Sequence, residues 1–144
     1  MIDDLEYYED GVGEGTFKSR YFRDDMGSDE FLVYIFSKDY AKYAEKCVQH
    51  FNSLPDNVIN VICYHIIESA KQNLHNPGFV LPELEKNTDI LNYCWFKAMI
   101  VSIPGDDTKA SYIMQGEGDW GEMIGFVVTE DTVTYVGKNY MPNR

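Results

Sequence analysis

Across residues 40–70 apolar side chains recur at three- and four-residue spacing, and on either side of that stretch they fall into short runs of strand-forming type. The first period is that of an α-helix and the second that of strands, so the chain must combine both. Tyr40, Tyr43, Ala44, Cys47, Val48, Phe51 and Leu54 make one helical stripe behind Ser37, a side chain suited to capping a helix start. Pro55 and Asp56 open a second helix, predicted over residues 55–74. There Val58, Ile59, Val61, Ile62, Cys63, Ile66, Ile67 and Ala70 cover more than half the circumference, making it the more buried of the two. Asn76-Pro77-Gly78 is the expected stop, giving a helical hairpin over residues 37–75.

The flanking runs read as a sheet. Residues 31–36 are six consecutive apolar or aromatic side chains between charged or polar neighbours, the pattern of a central strand buried on both faces. After a connection containing Pro77, Gly78 and Pro82, with a short helical turn near residues 89–93, strands are predicted at 95–103, 110–115, 123–129 and 132–137. Pro104-Gly105-Asp106-Asp107 and Glu130-Asp131 are the turns between them, so residues 94–137 form a C-terminal meander. Glycines 11, 13, 15 and 27, set among aromatics in residues 1–30, predict one or two twisted strands there. The expected fold is therefore a single α+β domain over residues 1–144, an antiparallel sheet packed against a two-helix hairpin.

Composition narrows the function. Hydrophobic residues at 44% and aromatics at 15% exceed what a disordered acidic chain carries. No apolar run approaches the ~20 residues of a membrane span, and the Met-Ile-Asp-Asp start lacks the basic residues of a signal peptide, so a cytosolic protein is expected. Cys47, Cys63 and Cys94 lie within apolar patterns and are expected to be buried, reduced thiols.

Charge is the strongest functional cue. The chain carries −12, and residues 1–30 hold ten acids against three bases, a net of −7. A field of this sign repels nucleic acid and anionic membrane and speeds encounter with basic proteins, so no nucleic-acid or membrane partner is expected. No enzyme signature accompanies it. Gly11-x-Gly13-x-Gly15 lacks dinucleotide-site spacing, residues 3–14 lack the ligand order of a calcium loop, and no Gly-x-Ser-x-Gly occurs. Cys47 with His50 and Cys63 with His65 could face one another across the hairpin, but without Cys-x-x-Cys partners they read as core thiols and surface imidazoles. Neither an enzyme nor a cofactor is expected.

In residues 115–122 Trp120 sits among Glu117, Asp119 and Glu122, a large anchor beside charge in what reads as an exposed loop. The plainer reading has Trp120 capping the core while the glycines serve the turn. Asp119-Trp120-Gly121-Glu122, with Ile124-Gly125-Phe126-Val127-Val128 and Val133-Thr134-Tyr135-Val136-Gly137, resembles a family of small bacterial proteins in which an acidic Trp-containing loop precedes a terminal hairpin. Residues 39–63 are similar to the helical hairpin of such proteins. Proteins of this kind are encoded beside polymorphic or contact-dependent toxins and look like immunity proteins. Where their pattern runs Trp-x-x-Glu-His-Gly, this chain has Trp120-Gly121-Glu122-Met123-Ile124-Gly125 and no His, and no catalytic residues come with the resemblance.

The resemblance and the charge together imply an immunity protein that occludes a cognate basic, nuclease-type toxin domain. The acidic contact residues are expected to be Asp3, Asp4, Glu6, Glu9 and Asp10, then Glu117, Asp119, Trp120 and Glu122. The alternative is a small-ligand or housekeeping binding domain, which would show a concave apolar pocket with convergent polar groups.

Overall fold

In the computed structural model, which describes residues 1–72, 74 and 78–138, seven strands form one sheet in chain order: β1 (Asp3–Tyr7), β2 (Gly13–Lys18), β3 (Glu30–Ile35), β4 (Cys94–Val101), β5 (Ser111–Gly118), β6 (Glu122–Thr129) and β7 (Thr132–Lys138). Every neighbouring pair is antiparallel except β3 and β4, which run parallel. A parallel pair cannot be closed by a tight turn, and the long connection it needs is supplied by α1 (Ala41–Phe51) and α2 (Asp56–Gln72). The domain is thus α+β, with a mostly antiparallel sheet, a two-helix hairpin and a C-terminal meander.

The helices start and stop where local chemistry allows. Ser37 accepts a hydrogen bond from the Asp39 amide and caps a short 3₁₀ helix, Lys38–Tyr40, that leads into α1. At the other end of α1, Arg20 donates from Nε to the Asn52 carbonyl at 2.7 Å and from Nη2 to the Leu54 carbonyl at 2.8 Å, covering acceptors the helix leaves open. His75 and residues 76–77, the expected helix stop, lie outside the described residues.

One sheet face meets the helices. Phe17, Phe31, Val33, Ile35, Phe96, Met99, Met114, Phe126 and Val128 are buried there against Phe51, Ile59, Ile62 and Ile66. Phe22, from the β2–β3 connection, sits among Phe51, Phe96 and Phe126 with ring centroids 5.5–5.6 Å away. Each such ring contributes about 1.5–3 kcal/mol by leaving water. β3 departs from the expected double burial: Phe31, Val33 and Ile35 point inward, whereas Leu32 and Tyr34 point away and are half-buried, because helices cover only one face. The buried arc of α2 is likewise narrower than expected, with Val61 and Tyr64 exposed at 42% and 48%.

The connection after β4 is pinned from α1. Tyr43 Oη donates to the Lys109 carbonyl at 2.8 Å and accepts the Ser111 amide at 2.9 Å, and Lys46 Nζ donates to the Asp107 and Thr108 carbonyls. Among the described residues no helix is long and apolar enough to cross a membrane.

Candidate protein-docking face

Strand alternation sends every second residue to the face the helices leave open, and the register aligns these residues into rows. One row runs Glu6, Glu14, Tyr34, Ile100, Ile113, Val127, Tyr135 from β1 to β7. Beside it run Thr16, Leu32, Ala98, Gln115, Gly125 and Gly137. Trp95, Glu117 and Met123 form a third, shorter row. The centre is apolar, with Ile100 and Ile113 only 8% and 5% exposed.

The β1–β2 end of this face is acidic. Glu6 and Glu14 are direct cross-strand partners, an arrangement that like charges disfavour. Among the described residues no ion pair engages either of them. The Tyr8 hydroxyl donates to Glu14 Oε1 at 3.2 Å, and the Glu14 charge is the main reason its ionisation is pushed upward. Tyr34 is also shifted upward, first by burial and then by Glu14.

The five expected N-terminal contact residues all lie in this β1–β2 hairpin. Asp3 pairs with Thr16, Asp4 sits at a register break with φ of 55°, and Glu9 and Asp10 occupy the turn, where Asp10 Oδ1 accepts the Val12 amide. A left-handed, charged break of this kind keeps an edge strand from recruiting another strand indiscriminately.

The second acidic group divides differently from expectation. Glu117 reaches the open face beside Trp95 and Met123, and Glu122 and Asp119 flank the tight β5–β6 turn. Glu117 stands four strand steps, or about 19 Å, from β1. Trp120 is not the exposed anchor expected of it. Its indole is wholly buried against Phe79, and its Nε1 has no hydrogen-bond partner among the described residues. The residues between β5 and β6 make a three-residue turn closed by Gly121 at φ 91°, not an open loop, and this geometry folds the ring back over Gly118. Glu14, Tyr34, Trp95, Ile100 and Ile113 were not singled out from the sequence. Strand parity marks them as facing away from Phe31 and Val33, but only the register joins them into one surface.

The metal reading of the hairpin does not assemble. His50 Nδ1 hydrogen-bonds the Tyr112 hydroxyl at 2.9 Å and its Nε2 lies 3.4 Å from Asp131 Oδ1. No group of three metal-ligating side chains gathers among the described residues. All three cysteines are buried and outside any disulfide, Cys47 Sγ donating to the Ser111 carbonyl and Cys94 Sγ to the Ile90 carbonyl, and burial pushes Cys47 up to about 11 and Cys63 to about 12.

The family model of DUF6985, a domain of unknown function, matches residues 1–141. The chain belongs to the DUF6985 family. The match runs through the acidic β1–β2 hairpin as well as the helices and the meander, so in this DUF6985 domain the charged N-terminal strands lie within the family's own boundaries. No curated protein and no solved structure matches the chain.

Proposed function

We propose that this DUF6985 domain is a cytoplasmic immunity protein that binds a basic, nuclease-type toxin domain on its open sheet face and neutralises it by occlusion. The observation that supports the reading best is Glu6 opposed to Glu14, in no ion pair among the described residues, at the end of an apolar row on the sheet face away from the helices. Repulsion between the two carboxylates costs the free protein stability and is relieved when a cation enters between them. Tyr34, Met123, Val127 and Tyr135, the partly exposed apolar side chains of the face, supply contact area, and the −12 field steers a basic partner, carrying association toward about 10⁸ M⁻¹s⁻¹ at low salt.

The test is a titration of the protein against the toxin-like domain encoded beside it, at low and high salt. The expected result is a one-to-one complex whose association slows with salt and with Glu6→Gln and Glu14→Gln. Failure of the parent protein to bind at either salt would overturn the reading, and so would equal binding by a variant carrying Val127→Lys, a partly exposed position of the same row, with the fold retained.

A further inference from the structure

A second feature lies on the helix side of the sheet, away from the docking face. Between the β2–β3 connection and the 3₁₀ helix Asn87–Asn92 is a hollow of about 330 Å³. This is the small end of the range for small-molecule sites. Tyr21 and Leu91 give it partly exposed apolar walls above the buried rings of Phe22 and Phe96, and its rim carries Arg23, Lys86 and Asn92.

Two cations on one rim stand out in a protein of charge −12. Arg20 and Lys46 are taken up by backbone carbonyls and Lys71 by Glu68. Arg23 is held but not consumed. Its Nη1 alone donates to the Ser19 and Phe22 carbonyls, at 3.1 and 2.9 Å, while its own carbonyl accepts the Phe96 amide at 3.0 Å. Nε and Nη2 are left without an acceptor among the described residues, and no ion pair there engages Arg23 or Lys86. The carboxylate on this rim, Asp89, turns Oδ2 to the Lys86 amide at 3.3 Å. The rim thus has two cations against one carboxylate.

A guanidinium whose plane is fixed by backbone contacts, with one edge open, matches the two oxygens of a carboxylate or phosphate. We infer that this hollow binds a small organic anion, its oxyanion group against Arg23 and Lys86 and an aromatic or aliphatic body against Tyr21 and Leu91. Tyr21, packed edge-on against Phe22 at 5.6 Å, closes one side. The overall negative field opposes the ligand's charge, so affinity is modest and depends on the apolar body as much as on the headgroup. The site stands independently of the docking face and needs no protein partner.

The whole chain is titrated with phenyl phosphate, benzoate, inorganic phosphate and benzyl alcohol, followed by amide chemical shifts. One or both aromatic anions are expected to saturate with a Kd of about 1 mM or below. Which of the two binds tighter identifies the headgroup. Benzyl alcohol, which lacks the charge, and inorganic phosphate, which lacks the body, are expected to bind at least about tenfold more weakly, a difference of 1.4 kcal/mol. Arg23→Gln and Lys86→Gln should each weaken the aromatic anion about tenfold, with Lys71→Gln unchanged. Should Arg23→Gln disturb the fold, the exposed Lys86 still carries the test. Absence of saturation by either aromatic anion at about 10 mM overturns the assignment. Binding by Lys86→Gln equal to the parent, or inorganic phosphate matching phenyl phosphate, overturns it as well.

Discussion

Gly118 and Trp120 are packed so closely that a methyl group at Gly118 would overlap Cζ2, Cε2 and Cη2 of the indole. The glycine is the space into which the buried ring folds. Neither Trp120 nor its neighbours can shift readily, because Phe79 lies against the ring and Asp119 N–H is bonded to the Tyr93 carbonyl at 2.8 Å. Gly118→Ala is therefore expected to lower stability by about 1–3 kcal/mol, as overpacking does. A urea midpoint equal to that of the parent would contradict the buried placement of Trp120.

His50 makes its two polar contacts with groups of opposite exposure. Tyr112 is buried, so replacing it with Phe leaves the imidazole without its 2.9 Å partner and should cost about 1 kcal/mol. Asp131 is 79% exposed, so Asp131→Asn should shift stability by no more than about 0.5 kcal/mol. Thermal unfolding of the two variants side by side distinguishes them, and equal effects would show that the Tyr112 bond contributes nothing.

Alkaline pH should destabilise the fold before it touches the docking chemistry. Burial raises the thiols of Cys47 to about 11 and Cys63 to about 12, from an ordinary 9.0, and raises Cys94 as well. The folded protein then holds protons that the unfolded chain releases. The stabilisation is complete below pH 9 and is lost as the pH rises through about 11 and then about 12, at up to about 1.4 kcal/mol per thiol per pH unit. Urea midpoints measured from pH 8 to 10.5 should fall, while native thiols react slowly with a disulfide reagent at pH 8. Flat midpoints would mean that the thiols are more hydrated than their burial implies.

Glu14→Gln should act in opposite directions on folding and on function. Removing one charge from the Glu6–Glu14 pair is expected to raise stability by about 0.5 kcal/mol. The same change should slow association with a basic partner. A variant that is less stable, with binding unaltered, would remove the pair from the proposed interface.

Much of the architecture was legible along the chain because helices and strands have local periods. The stripe from Tyr43 to Phe51 marked α1, Ser37 marked its start, and the alternation in Ile124, Phe126 and Val128 marked β6. The concentration of Asp3, Asp4, Glu6, Glu9 and Asp10 was equally plain, since it needs only counting. What the chain could not disclose depended on pairing. The opposition of Glu6 to Glu14, the parallel match of Leu32 with Ala98, and the row from Tyr34 to Val127 are facts of register between segments up to about sixty residues apart. Trp120 lies between the two. Its acidic, glycine-rich surroundings allowed an exposed anchor or a ring capping the core, and a three-residue turn and the empty Cα of Gly118 decided for the second. Local sequence thus set where the charge and the elements lie, and long-range packing alone decided which side chains reach solvent together, because that choice is made by neighbours brought in from elsewhere in the chain.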